Sequence, residues 1–248
     1  MTLFVRRHKQ VALTMLGREY LEEVREPLER LAAATARIKG SRRVGTVSIC
    51  VYPTFAIRWL IPRWGRFYDR HPEIDVRLTT SLNPVDFRSG DYDLAIRVGR
   101  EGGVLQGLMS HRLVDVDVFP VCGPAFAAAV KEPEDLRGQT LLHSAPRPLD
   151  WQRWLAAAGI DGVDLGGPQF DSLNLAFQGA IEGFGIAMGI GALVEDDLAQ
   201  GRLVRLFDVS RKSGRPFHLV YPAAKARDPR LAVFRDWLLE EAGVLEAE

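Results

Sequence analysis

From residue 46 to the C-terminus the chain alternates short aliphatic runs with helical stretches, and that alternation limits the possible folds more than any other feature. Thr46-Val47-Ser48-Ile49-Cys50-Val51 reads as a buried strand. Pro53-Thr54-Phe55 leads into a helix expected to run through Tyr68, closed by the turn His71-Pro72-Glu73. Asp75–Thr80 reads as a second strand, and a short helix near Asp86–Ser89 precedes a third at Tyr92–Val98. Strand, helix, strand, helix, strand points to a parallel sheet built by right-handed crossovers. Further strands are expected at Val114–Val121, Thr140–His143, Ile186–Met188, Leu203–Phe207 and Phe217–Tyr221. Further helices are expected at Pro133–Leu136, Trp151–Ala158, Ser172–Glu182 and Pro229–Ala242.

The first 45 residues follow a different pattern. Residues 2–13 alternate loosely around a basic turn and read as a small β-hairpin. Thr14 then has the hydroxyl to cap a long helix. Glutamates fill that helix's first half and Arg37 and Lys39 its end, which suits the helix dipole. Leu21, Val24, Leu28, Leu31, Thr35 and Ile38 recur at alternating steps of three and four, a heptad seam that calls for a partner chain. Pro27 should bend the helix and Gly40 end it, leaving 41–45 as a hinge.

Charge is distributed unevenly. Formal net charge is zero, yet residues 1–43 hold ten Lys/Arg against five Glu, leaving the remainder net acidic. A basic end on an acidic body fits an arm that meets polyanions, and equally a solvated charged helix. The two cysteines, Cys50 and Cys122, form neither a disulfide framework nor a metal spacing and suit a reducing cytoplasm. No metal, no cofactor and no membrane association is expected. Neither a membrane-length apolar run nor a secretory signal is visible. Gly-x-Ser-x-Gly, His-Glu-x-x-His, P-loop and Cys-x-x-Cys motifs are all absent, so the chain does not read as an enzyme.

Several short motifs together resemble a known family. Leu3-Phe4, Arg6, Val11-Ala12-Leu13-Thr14 and Gly17 resemble the wing and linker-helix start of LysR-type transcription regulators. Pro53–Phe55, Trp59-Leu60-Ile61-Pro62, Phe67 and His71-Pro72 resemble the opening of their effector domain. Gly90-Asp91-Tyr92-Asp93-Leu94-Ala95-Ile96-Arg97 and Gly183-Phe184-Gly185-Ile186-Ala187 are similar to two of its later signatures. Thr54-Phe55-Ala56, Asn83-Pro84-Val85-Asp86 and Asp91-Tyr92-Asp93-Leu94-Ala95-Ile96-Arg97 are most similar to the branch holding the glycine-cleavage activator and the β-lactamase regulator. The motifs span essentially the whole chain; each is weak alone, and their order and spacing carry the resemblance.

The resemblance implies an α/β, two-lobe fold like a type II periplasmic binding protein, preceded by a linker and dimerisation helix. It divides the chain into a wing remnant at 1–13, a linker helix and hinge at 14–45, one lobe from 46–117 with 220–248, and a second lobe at 118–219. It implies a cytoplasmic homodimer or tetramer that senses a small anionic or amino-acid-like effector between the lobes. Leu21, Val24, Leu28, Leu31 and Ile38 would pair the chains, and Arg6, Arg7 and Lys9 would meet the DNA backbone. In the family a helix-turn-helix precedes the wing. Met1 falls where that domain should have ended, so DNA reading is expected of full-length relatives rather than of this chain alone. A solute-binding protein of the same fold is the alternative.

The candidate effector contacts are Pro53, Thr54, Phe55, Asp86, Arg97, Gly99, Ser144, Asp171 and Ser172. Thr54 follows a strand and opens a helix, where an open α/β sheet binds ligands, and it also fits a plain helix cap. Ser172, beside Asp171, is the mirror position and carries the same two readings. Asp86 is either a cleft acid or a turn residue. Arg97 could hold a carboxylate by a bidentate contact or pair with Asp91 or Asp93. His143-Ser144 ends another strand, with a surface histidine the blander reading. Trp151 and Trp154 fit core positions, Glu195-Asp196-Asp197 a solvated acidic face, and the two cysteines inert thiols.

Overall fold

The computed structural model describes residues 2–7, 10–21, 23, 24, 27, 45–99 and 107–244. The chain divides into two compact units, Met1–Gly45 and Thr46–Glu248.

In the first unit, strands β1 (Phe4–Arg7) and β2 (Gln10–Leu13) form an antiparallel hairpin, Phe4 opposite Leu13. Residues 15–21 are helical, as are 23, 24 and 27. Thr14 caps this segment: its hydroxyl accepts from the Gly17 N–H at 2.9 Å and donates to the Thr2 carbonyl at 3.0 Å. A Cβ at Gly17 would lie 2.2 Å from the Leu3 carbonyl oxygen, so only glycine lets the helix approach the hairpin this closely. Leu21 is 37% exposed and Val24 half-buried. Leu28, Leu31, Ile38 and Lys9 lie outside the described residues, and Arg6 and Arg7 are described by backbone alone.

The second unit holds two sheets. The first has the order β4-β3-β5-β13-β6, with β3 (Thr46–Val51), β4 (Asp75–Thr80), β5 (Leu94–Val98), β6 (Leu108–Val114) and β13 (Phe217–Pro222). β3 runs parallel to β4 and β5, whereas β13 is antiparallel to β5 and β6. The second sheet has the order β11-β7-β10-β8-β9, and β12 also pairs with β7. Its strands are β7 (Asp117–Cys122), β8 (Leu141–Ser144), β9 (Gln169–Phe170), β10 (Ile186–Ile190), β11 (Val204–Arg205) and β12 (Arg211–Lys212). The chain therefore crosses between sheets twice, at 115–116 and at 213–216. Strand β13 spans the expected lobe boundary at 219–220 and lies wholly in the first sheet.

Pro53–Phe55, a π-turn at Ala56–Leu60 and Ile61–Arg70 run on as one helix, α1. The sequence predicts a plain α-helix here. Pro62 explains the difference: it has no N–H to give the Arg58 carbonyl, and its ring pushes that carbonyl away, so the preceding turn widens. Helix α1 packs on the first sheet beside the closing helix, Pro229–Glu241. Phe67 is the hub, its ring 5.0 Å from both Phe234 and Trp237 between centroids.

Helices α2 (Asp150–Ala158), α3 (Leu173–Ile181) and α4 (Gly191–Ala199) cover the second sheet, and α5 (Pro229–Glu241) closes the first. Trp151 and Trp154 are both core residues, 3% and 0% exposed. The expected strand Val114–Val121 is two strands in different sheets, β6 ending at Val114 and β7 beginning at Asp117. Most of β6 escapes notice in the sequence because its run, Leu-Met-Ser-His-Arg-Leu-Val, mixes polar and apolar residues on an edge. No helix among the described residues is long and apolar enough to cross a membrane.

Candidate functional site: a cleft between the lobes

The carboxyl end of β3 delivers Tyr52 and Pro53 to the start of α1. Proline suits that first position because its missing N–H would have no intrahelical partner. The N–H groups of Thr54 and Phe55 are left over at the helix start and point out of it. In the second lobe the short strand β9 delivers Asp171 and Ser172 to the start of α3. The Ser172 hydroxyl caps the helix, accepting from the Leu175 N–H at 3.4 Å. Its own proton stays available to donate.

These two helix starts border one cavity of about 480 Å³, a size that suits a small ligand. The first lobe contributes Tyr52, Pro53, Thr54, Phe55, Leu82, Val98 and Phe217. The second contributes Ala145–Arg147, Asp171–Leu173, Ile190 and Leu193, with Arg215 on the returning crossover. Thr54 is 7% exposed. The lining is mostly apolar, with hydroxyls and charges at a few points. Arg147 is bound by Asp150, donating to its second oxygen at 3.1 Å. Asp171 and Arg215 are exposed, and neither side chain has an ion-pair partner among the described residues.

Of the nine expected contacts, Pro53, Thr54, Phe55, Asp171 and Ser172 line this cavity. The other four lie off it. Asp86 is exposed and caps the short helical turn Phe87–Ser89, accepting from the Arg88 N–H at 2.9 Å. Arg97 turns its guanidinium onto the carbonyls of Ile96, Cys50 and Asn83, with the Tyr52 ring 4.9 Å away. It is paired with neither expected acid in that geometry; Asp93 instead holds Lys225 at 2.6 Å and accepts from the Ser48 N–H. Gly99 follows the lining residue Val98, and its N–H donates to Pro216 at 3.2 Å.

Ser144 borders a much smaller neighbouring cavity of about 10 Å³, together with His143, Arg147, Asp150 and Leu173. The Ser144 hydroxyl and the His143 Nε2 are buried without a hydrogen-bond partner. His143 is half-buried, with its Nε2 turned inward rather than to solvent. Burial holds its imidazole below the usual histidine pKa.

The acidic run on α4 is also not a solvated face throughout. Asp197 is 1% exposed and bound by Arg58 and Arg202, while Glu195 and Asp196 remain exposed. Nothing in the run marks this: a buried acid looks like its neighbours until the arginine that meets it, 139 residues away, is placed. Arg147 and Arg215, both cavity residues, were likewise not visible from local pattern. No cluster of potential metal ligands occurs among the described residues. Both cysteines are buried, and burial pushes the Cys122 thiol up to about 11.

Residues 40–243 match the LysR substrate binding domain. The chain belongs to the LysR family of transcription regulators. It is 34% identical to the glycine cleavage system transcriptional activator of Escherichia coli K12, over 97% of this chain and 79% of that protein. It is 32% identical to the transcriptional activator AmpR of Rhodobacter capsulatus, over 95% of this chain and 80% of that one. The effector domain of AmpR from Pseudomonas aeruginosa superposes with a TM-score of 0.69 at 32% identity, covering 80% of this chain and 96% of that domain. CrgA of Neisseria meningitidis, a LysR-type regulator, superposes at 0.67 with 25% identity over 98% of this chain. The two-lobe, periplasmic-binding-protein-like architecture is thus a LysR effector domain, and the relatives are regulators rather than solute carriers or enzymes.

Proposed function

We propose that this chain is the sensing and pairing part of a LysR regulator, and that its effector binds in the 480 Å³ cavity between the lobes. The observation that carries the reading is the placement of Thr54 and Ser172. Each opens a helix from a different lobe, and both face one cavity, so one small ligand can touch both lobes at once. Pro53, Phe55 and Asp171 complete the contact set. Asp171 and Arg215 set a carboxylate and a guanidinium, neither ion-paired among the described residues, at that same cavity. This favours a ligand carrying both an ammonium and a carboxylate, an amino acid or short peptide, over a neutral one. Arg97, Gly99 and Ser144 adjoin wall residues in the chain and act as supports behind the wall, whereas Asp86 only caps its own turn.

A ligand that binds one lobe spacing better than another shifts the population of spacings, and the helix seam of Leu21, Val24, Leu28, Leu31 and Ile38 carries the change to a partner chain. The relatives are named transcriptional activators, and in the assembled regulator the basic hairpin with Arg6, Arg7 and Lys9 lies near the DNA backbone. On this reading the molecule works inside the cytoplasm as a dimer or tetramer.

Thermal-shift measurements with free amino acids and with short cell-wall-type peptides test the cleft. A binder should raise the melting temperature of the parent protein. Thr54→Val and Ser172→Ala should each reduce that rise at least about tenfold in apparent affinity, the size of one lost hydrogen bond to a charged group. Equal stabilisation of parent and both variants would place the ligand elsewhere.

A further inference from the structure

The two lobes meet again away from the cleft, where α1 of the first lobe passes α3 and α4 of the second. Arg58 lies on the π-turn of α1. Its Nε donates to the Asn174 side chain at 2.7 Å, and its guanidinium is bound to the Asp197 carboxylate. The guanidinium also lies 5.6 Å from the centre of the Phe177 ring. All three partners belong to the other lobe. Side-chain exposure is 13% for Arg58 and 2% for Asp197, so this is a desolvated contact. The nearby Arg63–Glu195 approach, at 3.7 Å with Glu195 67% exposed, is weak by comparison.

We infer that Arg58 is a reversible latch that sets the spacing of the two lobes. Three features support this. First, Arg58 sits one helical turn from Thr54, and Asn174 two residues from Ser172. The latch and the cleft therefore hang on the same two helices, and any change in one spacing is a change in the other. Second, the widened turn that aims Arg58 is imposed by Pro62, so the side chain is held where a regular helix would not place it.

Third, Asp197 does not depend on Arg58 alone. Arg202, from its own lobe, binds the other carboxylate oxygen at 2.5 Å and is 45% exposed. A buried carboxylate stripped of its only cation is strongly destabilising. If the lobes part, Arg58 enters water and Asp197 keeps Arg202. That arrangement makes the contact breakable in the folded state, as a latch requires and a purely structural ion pair does not. The inference concerns lobe spacing and stands whether or not the cleft ligand is an amino acid.

Spin-label distances test it. Arg88, whose side chain is 97% exposed on the first lobe, and Glu134, exposed on the second, are replaced by cysteine and labelled with nitroxides. Cys50 and Cys122 are buried and stay unlabelled. Labelled chains are diluted into unlabelled protein so that only distances within one chain are read. The parent should give one narrow distance distribution. Arg58→Met should add a longer population, and Arg202→Met, which removes an arginine from the same carboxylate without crossing the lobes, should leave the distribution unchanged. If Arg58→Met yields no folded protein, Arg58→Lys is read instead, since it loses the Nε bond to Asn174 while keeping a charge near Asp197. A parent-like distribution in the Arg58 variant overturns the inference, as does equal broadening in Arg202→Met.

Discussion

His143 illustrates how far a single side chain's environment departs from its sequence context. It ends a strand in a polar stretch, His-Ser-Ala-Pro-Arg, yet its Nε2 is buried and unpaired. Desolvation lowers its pKa, and a contact with the Leu165 backbone opposes that shift. The folded state thus resists a proton that the unfolded chain accepts near pH 6.5. The stability this gives is present above pH 6.5 and is lost as pH falls through the lower folded value. His111, also lowered by burial and by the nearby Arg235, contributes in the same sense. Between pH 7 and pH 5, His143→Gln should therefore lose less melting temperature than the parent; identical slopes in the two proteins would rule the explanation out. Arg97 makes the complementary point. Its type and position suit carboxylate binding, but three backbone carbonyls reach it first.

At the level of elements, turns and caps follow directly from residue chemistry. Thr14, Ser172 and Asp228 each cap the helix that follows. Gly183 ends α3 in the left-handed region at φ 78°, with open space around it. Gly185, two residues on, is confined instead: a Cβ there would fall 2.3 Å from the Thr140 carbonyl oxygen. The two glycines should respond differently to the same substitution. Gly183→Ala should cost about 1 kcal/mol, the ordinary penalty for a left-handed residue with a side chain. Gly185→Ala should cost more than about 2 kcal/mol because backbone must move to admit it. Denaturant unfolding of both variants checks the order, and equal costs would show that strand β10 yields readily. The strand-helix alternation was legible for most of the second unit because buried strands are aliphatic and helices are punctuated by Gly and Pro. Strand β6 and the π-turn were not, since an edge strand needs no aliphatic run and a widened turn needs no special residue except the proline after it.

At the scale of the molecule, the buried apolar residues of both lobes join into one continuous core, from Val47 and Phe67 through Val118 and Phe119 to Trp154 and Phe177. A shared core and two short crossings predict one cooperative unfolding transition for the second unit. Phe234→Leu in the first lobe and Leu136→Ala in the second should each lower that same transition, the latter by about 2–5 kcal/mol. Two transitions that separate in either variant would show the lobes to be independent. Taken by itself, the sequence determined the α/β class, the two helix starts at Thr54 and Ser172, and the family, because each rests on residues within a few positions of one another. Only the tertiary structure decided that those two starts face one cavity, that Asp171 and Arg215 border it, that Arg97 and Asp86 do not, and that Asp197 is a buried partner of Arg58 rather than part of a wet acidic face. Those facts depend on contacts between lobes and on which side chain reaches a partner first, and no local periodicity encodes either.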